Sequence, residues 1–147
     1  MSSTDFYTIG YQGRSLDNLL EVLLSNNVQT VVDVRELPHS RIPVFSKSRL
    51  SSALEHAGIN YVSVRHLGSP RELRNEYRRT GNWTAFAREF ESFLQTRQEE
   101  IDELTSRVYA EKTCLLCFER DSGLCHRSIV AKAVKEHSGN GLQVNNL

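Results

Sequence analysis

The segment from Leu115 to Arg127 gathers more side chains able to do chemistry than any other stretch of the chain. An apolar run, Leu115-Leu116-Cys117-Phe118, ends in Glu119. The chain then turns through Asp121-Ser122-Gly123 and opens a helix with Cys125-His126-Arg127. A thiol, an imidazole and a guanidinium are thereby expected where a helix presents free backbone N–H groups and the positive end of its dipole. Such a layout suits an anionic ligand or a reacting thiolate.

Each of these groups has two readings. Cys125 beside His126 and Arg127 is expected to have a depressed pKa and to act as a nucleophile, or else to pack inward as the first residue of the helix. His126 reads as a base, a phosphate donor or a plain capping residue. Arg127 reads as a bidentate partner for phosphate or carboxylate, or as half of an ion pair with Glu119 or Asp33. Glu119 and Asp33, both at strand ends, can divide general acid and base roles as a pair. Alternatively, one of them holds Arg35 or Arg127 in place. Strand alternation puts Val31, Asp33 and Arg35 on one face. Arg35, Ser40 and Arg41 can line an anion site in a loop stiffened by Pro38 and Pro43. Tyr11, next to Gly10, is placed to stack on a base or a sugar. Cys114 and Cys117 form a Cys-x-x-Cys, but residues three apart on a strand point to opposite faces, so both are expected as buried small hydrophobes. Zinc wants four ligands, of which Cys117, Cys125 and His126 supply three. No metal and no cofactor is expected.

The elements that must position these groups follow from periodicity. Strands are predicted at Phe6–Gly10, Val28–Arg35, Asn60–Val64 and Thr113–Glu119, with a last short one at Leu142–Asn145. Ser15 caps a helix whose stripe is Leu16, Leu19, Leu20, Leu23 and Leu24. Ser46 starts a second helix, with Leu50, Ala53, Leu54 and Ala57 inside and Gly58 at its C′ position. Residues 66–82 form a long Arg-rich connection with room for a short helix. From Trp83 a long amphipathic helix runs or restarts towards Leu104. Ile129, Val130, Ala133 and Val134 mark the last helix. This alternation of Val/Ile/Leu-rich strands with helices predicts a three-layer α/β/α sandwich with a mostly parallel sheet of four to five strands, forming one domain over residues 1–147. Ligands of such sheets sit outside the carboxyl ends of the strands. Those ends carry Gly10-Tyr11-Gln12-Gly13, Asp33-Val34-Arg35, His66-Leu67-Gly68-Ser69 and Glu119-Arg120.

Bulk properties narrow the classes. With 147 residues, 39% hydrophobic and 24% charged, the chain has the composition of a globular protein. Eighteen basic residues balance eighteen acidic ones, so net charge names no partner. Basic residues dominate from Arg35 to Arg79 and acidic ones from Glu89 to Glu111, which is either a field that steers phosphates or a solvated surface. Three cysteines cannot all pair internally, and neither a signal peptide nor a membrane-length apolar run is present. A reducing cytoplasmic location with free thiols is the expectation. Gly10-Tyr11-Gln12-Gly13 matches neither Gly-x-Gly-x-x-Gly nor a P-loop, and no Gly-x-Ser-x-Gly elbow occurs.

Thr8-Ile9-Gly10-Tyr11-Gln12-Gly13-Arg14-Ser15, Val32-Asp33-Val34-Arg35, Pro38-His39-Ser40, Phe45, Leu67-Gly68, Leu115–Glu119 and Cys125-His126-Arg127 occur in this order along nearly the whole chain. In combination they resemble the family named domain of unknown function 488. The resemblance implies a small prokaryotic cytoplasmic protein and delivers no reaction. Gln12 stands where many members with the preceding tyrosine carry Glu, so an acid–base role of that loop does not carry over. Ser69 follows Leu67-Gly68 where a second Gly is usual.

The residues together predict an enzyme of hydrolase type or, next, one transferring an electrophilic carbon to the Cys125 thiolate, acting on a nucleotide, a modified base or a nucleic-acid end. Glu119 leads as acid or base, Asp33 or His126 assists, and Cys125 as covalent nucleophile is the sharper version. Gly10, Tyr11, Arg35, Ser40 and Arg127 would hold the substrate. The alternative is a non-catalytic nucleotide or nucleic-acid binder, with Tyr11 or Trp83 as stacking platforms. A weaker alternative is a thiol redox or metal protein. The expected partner is an anionic small molecule or nucleic acid, not a membrane.

Overall fold

In the computed structural model, the described residues are 4–38 and 40–147, less the side chain of Leu124. His39, one of the residues carrying the family resemblance, lies outside them. Five strands form one sheet: β1 (Thr4–Gly10), β2 (Thr30–Asp33), β3 (Asn60–Ser63), β4 (Thr113–Cys117) and β5 (Leu142–Asn146). All neighbours pair in parallel, in the order β3-β2-β4-β1-β5. The three-layer sandwich expected from the alternation of elements is what the chain forms.

Six helices cover the two faces. Helices α1 (Leu16–Ser25) and α2 (Lys47–His56) lie on one side. Ser15 caps α1, its Oγ accepting from Asn18 N at 3.0 Å. The buried stripe of α1 is Leu19 and Leu23, and that of α2 is Leu50 and Leu54; these pack on Ile9, Val31, Cys114 and Leu116 of the sheet. Each fully buried leucine contributes about 2 kcal/mol. Helices α4 (Trp83–Gln95), α5 (Gln98–Ala110) and α6 (His126–His137) cover the other side. There Phe86, Phe90, Leu94, Ile101, Leu104, Val108 and Val130 pack on Phe6, Val32, Leu115 and Cys117. Alternation along β4 thus sends Cys114 and Cys117 into different layers, as a strand requires.

The Arg-rich connection contains α3 (Arg71–Thr80), which has no fully buried residue and leans on the core through Leu73 and Tyr77. Gly81, at φ 67°, ends it in the left-handed conformation. The amphipathic stretch after Trp83 restarts as two helices. Thr96 closes α4, its N–H returning to the Phe93 carbonyl at 2.9 Å, and Glu99 and Glu100 then suit the positive end of α5. The final segment is a true edge strand: β5 runs parallel to β1, with Thr4 opposite Leu142. Among the described residues no helix is long and apolar enough to cross a membrane.

Gly10 ends β1 where the backbone after β4 crosses it. A Cβ there would lie 1.7 Å from the Glu119 carbonyl oxygen and 2.9 Å from Arg127 Nη1. Gly58, at φ 82°, has nothing within 4 Å of the same position. Gly10→Ala is therefore expected to cost about 3 kcal/mol or more through overpacking. Gly58→Ala is expected to cost about 1 kcal/mol through backbone strain alone. Chemical denaturation of the two variants checks this ranking.

Candidate functional site

The order of the strands singles out one place on the sheet. The connections leaving β1 and β2 run over the α1/α2 face, whereas the one leaving β4 enters α6 on the other face. Strand β4 lies between β1 and β2, so chain paths diverge on both sides of its carboxyl end. Open α/β sheets bind ligands at such a switch point. Glu119 and the Cys125-His126-Arg127 corner stand here.

The sheet nevertheless separates the expected residues into two groups. On the α1/α2 face, Asp33 is fully buried and gripped by Arg35: Nε donates to Oδ1 at 2.8 Å and Nη2 to Oδ2 at 2.6 Å. The Arg35 N–H adds a bond to Oδ1 at 3.1 Å, and the Tyr61 hydroxyl donates to Oδ2 at 2.6 Å. Arg35 Nη1 reaches the Phe45 carbonyl at 2.8 Å, and its guanidinium lies 5.3 Å from the centre of the Tyr11 ring. Burial works against the charge of Arg35, but the bonds to Asp33 outweigh it and hold its pKa above the ordinary value. Burial, followed by the Asp33 charge, pushes the Tyr61 hydroxyl up as well. Asp33 thus takes the second of its two readings, an anchor for Arg35, and both residues are buried.

Three further placements differ from expectation. Tyr11 is not a rim platform: it is 2% exposed, stacked on Phe45 at 4.5 Å and edge-on to Phe118 at 5.4 Å, because strand alternation turns it into the α1/α2 layer. Ser40 braces its own loop, its Oγ accepting from Ile42 N at 3.1 Å and its N–H donating to Ser46 Oγ at 3.2 Å. Asp33 and Glu119 do not pair, since Asp33 is held by Arg35 and Tyr61 while Glu119 joins the opposite layer through Cys117.

On the α4/α5/α6 face, Cys117, Cys125 and His126 come together. All three are buried, and their ligating atoms lie within 4.8 Å of one another. His126 Nε2 meets the Val34 carbonyl at 2.8 Å. A carbonyl only accepts, so Nε2 carries the proton and Nδ1 keeps its lone pair, 3.4 Å from Cys117 Sγ. Phe90 seats the ring edge-on at 5.5 Å. Glu119, half-buried, brings Oε2 to 3.7 Å from Cys117 Sγ. Cys125 caps α6 and was expected to carry a depressed pKa. Burial, followed by the neighbouring Cys117, pushes it up instead, by more than His126 pulls it down. For His126, burial favours the neutral ring, while Cys125, the Val34 carbonyl and Glu119 act the other way and raise its pKa. The thiol governs this pair, because a neutral Cys125 gives the imidazole little reason to hold a second proton.

Arg127 is fully buried and makes neither of the expected ion pairs among the described residues. Its Nη1 donates to the Glu119 carbonyl and its Nη2 to the Arg120 carbonyl at 3.3 Å, while Nε finds no acceptor. Gln12 Oε1 accepts from Arg120 N at 3.1 Å, a task that an amide oxygen performs as well as a carboxylate. Arg14 donates to the Gly10 carbonyl at 3.0 Å; burial, then the charges of Arg120 and Arg127, lower its pKa.

A concave surface at this end of the sheet lies near the thiol–imidazole cluster. A cleft of about 540 Å³ opens between the turn after β2, the segment after β3 and the end of α4. Arg65, His66, Gly68, Phe93 and Arg97 line it. Phe93 stacks on Phe90 at 5.9 Å, so one aromatic layer separates the cleft from His126. Arg97 spreads over the Phe93 ring at 5.0 Å, and its Nε is buried without an acceptor. None of the residues expected to act lines this cleft. Arg97 carried no signal in the sequence, because it falls in the break between two amphipathic stripes.

Fold and site define a parallel α/β sandwich with a sulfur–imidazole cluster at its switch point and an arginine-lined cleft beside it. The chain belongs to the family described as Domain of unknown function DUF488, whose profile matches residues 15–134. Neither the curated proteins nor the solved structures gave a significant match.

Removing one partner of a buried ion pair leaves the other uncompensated, so Asp33→Asn is expected to cost about 3 kcal/mol or more in chemical denaturation. All three thiols are buried. Alkylation near neutral pH is accordingly expected to be slow for Cys114, Cys117 and Cys125 in the native protein and fast in denaturant, as followed by mass spectrometry.

Proposed function

We propose that the protein binds an anionic ligand of the nucleotide class, a free nucleotide, a modified base or a nucleic-acid end, at the carboxyl rim of its sheet. The observation that carries this reading is the cleft beside β2 and β3. Its volume, about 540 Å³, falls in the range of small-molecule sites. Arg65 and Arg97 supply positive charge, and Gly68 lets the Glu36 backbone pack against the cleft wall. Glu36, the acidic residue among those lining the cleft, is already tied to Arg74 at 3.0 Å. A guanidinium such as that of Arg97 suits a phosphate oxygen, and Phe93 adds an aromatic side chain to the same wall.

Binding is favoured over hydrolysis because burial and internal partners weigh against two of the four catalytic candidates. Asp33 is saturated by Arg35 and Tyr61, and burial pushes the Cys125 thiol pKa up. Hydrolysis is the second reading, and Glu119 supports it. This half-buried carboxylate sits at the switch point, and Arg127 pins its backbone carbonyl.

Thermal-shift and calorimetric titrations with ADP, adenosine and a short single-stranded DNA test both readings. ADP or the oligonucleotide is expected to stabilise the protein and adenosine to do so less, with an effect that weakens as salt rises. Arg97→Ala and Arg65→Ala are each expected to weaken binding about tenfold, the loss of one charge-assisted contact. Unchanged affinity in both variants, or no response to any phosphate-bearing probe, would overturn the proposal. Glu119→Gln is expected to leave binding intact; only if it also removes a measured turnover does hydrolysis stand.

A further inference from the structure

The geometry points to a zinc site formed by Cys117 Sγ, Cys125 Sγ and His126 Nδ1, with Glu119 beside the fourth position. This inference is independent of the ligand reading above, because none of these four residues lines the arginine cleft. Zinc bound tetrahedrally, at about 2.3 Å from sulfur and about 2.0 Å from nitrogen, sets sulfur and nitrogen about 3.5 Å apart and two sulfurs about 3.8 Å apart. Cys117 Sγ and His126 Nδ1 are 3.4 Å apart, and no pair within the trio exceeds 4.8 Å. A contraction of about 1 Å or less therefore completes the coordination. Glu119 stands outside the trio but next to it, its Oε2 3.7 Å from Cys117 Sγ.

The surroundings of the trio are those of a metal centre. The outer nitrogen of His126 is bonded to the Val34 carbonyl, which fixes the tautomer with Nδ1 free; ligating histidines are oriented in this way. Phe90 holds the plane of the ring. Two sulfurs and an imidazole select a soft or borderline ion such as zinc over magnesium or calcium, which prefer oxygen. Cys117 ends β4, Cys125 and His126 open α6, and Val34 follows β2, so one ion would tie three elements together at the switch point. Glu119 is the half-exposed member and marks the side facing solvent.

The test uses the full chain, purified without chelator and with its thiols kept reduced. Elemental analysis is expected to find about one zinc per chain, and zinc titration against a chromophoric chelator a single tight site. Cobalt in place of zinc is expected to give tetrahedral d–d bands and the charge-transfer absorption of two thiolates. Cys125→Ala is expected to weaken zinc binding about a hundredfold or more. Cys114→Ala, which removes a thiol from the other face of the sheet, is expected to bind zinc normally. If Cys125→Ala does not fold, the wild-type cobalt spectrum decides alone. Reduced wild-type protein that takes up neither zinc nor cobalt, a cobalt spectrum without thiolate absorption, or a folded Cys125→Ala that binds as tightly as wild type would overturn the site.

Discussion

The turn between β4 and α6 is held in place by one buried guanidinium. Arg127 grips the carbonyls of Glu119 and Arg120, and the Glu119 carbonyl lies on Gly10, where no side chain fits. Tyr11 and Gln12 extend the contact, donating to the carbonyls of Cys117 at 3.1 Å and Phe118 at 2.8 Å. The carboxyl ends of β1 and β4 are thereby locked edge to edge, which fixes where Glu119 projects and where α6 begins. The position of Cys125 and His126 against Cys117 follows from that lock. A buried cation satisfied largely by backbone carbonyls is an expensive device, and it is placed at the point where chain paths diverge on both sides of the sheet.

The two faces of the sheet divide the polar chemistry. One carries a closed structural network in which Asp33, Arg35, Tyr61 and Tyr11 satisfy one another and set the loop through Phe45. The other carries softer, incompletely committed groups: two thiols, an imidazole with a free lone pair and a carboxylate reaching solvent. The arginine cleft opens beside the second group, behind Phe90 and Phe93. Ligand binding and metal coordination are therefore neighbouring proposals on one side of the molecule.

The fold was legible because its signals are local. Ser15 as a cap, the leucine stripe of α1, Gly58 after α2 and the alternation that parts Cys114 from Cys117 all depend on spacing along the chain. The parallel alternation then followed from strands covered on both faces. What the sequence did not disclose depends on strand order. The grip of Tyr61 on Asp33 requires β3 beside β2, and the opposed faces of Asp33 and Glu119 require β4 on the other side of β2. Tyr11 looked like a rim residue because glycines flank its loop, yet just past β1 it keeps the alternation of Ile9 and turns into the core. Burial misled the reading of Cys125: a helix start lowers a thiol pKa only where solvent or a partner stabilises the thiolate, and here desolvation dominates. Arg97 lies where one helix stops and the next starts, and periodicity is silent at such junctions.

Helix α3 contributes no fully buried side chain, starts after Pro70, a residue of the cleft wall, and ends at a left-handed glycine. Its hold on the body rests on Leu73 and Tyr77, and on Arg74 reaching Glu36 and the Ser69 carbonyl. Detaching it leaves the sheet intact and uncovers chiefly Leu73 and the Tyr77 contacts with Trp83 and Phe86, which makes it a sub-global opening well below global unfolding. Its amide protons would exchange well before those of α1 or α6. A molecule seated against Pro70 would slow that exchange, so occupancy would register as protection in a segment that need not touch the visitor at all.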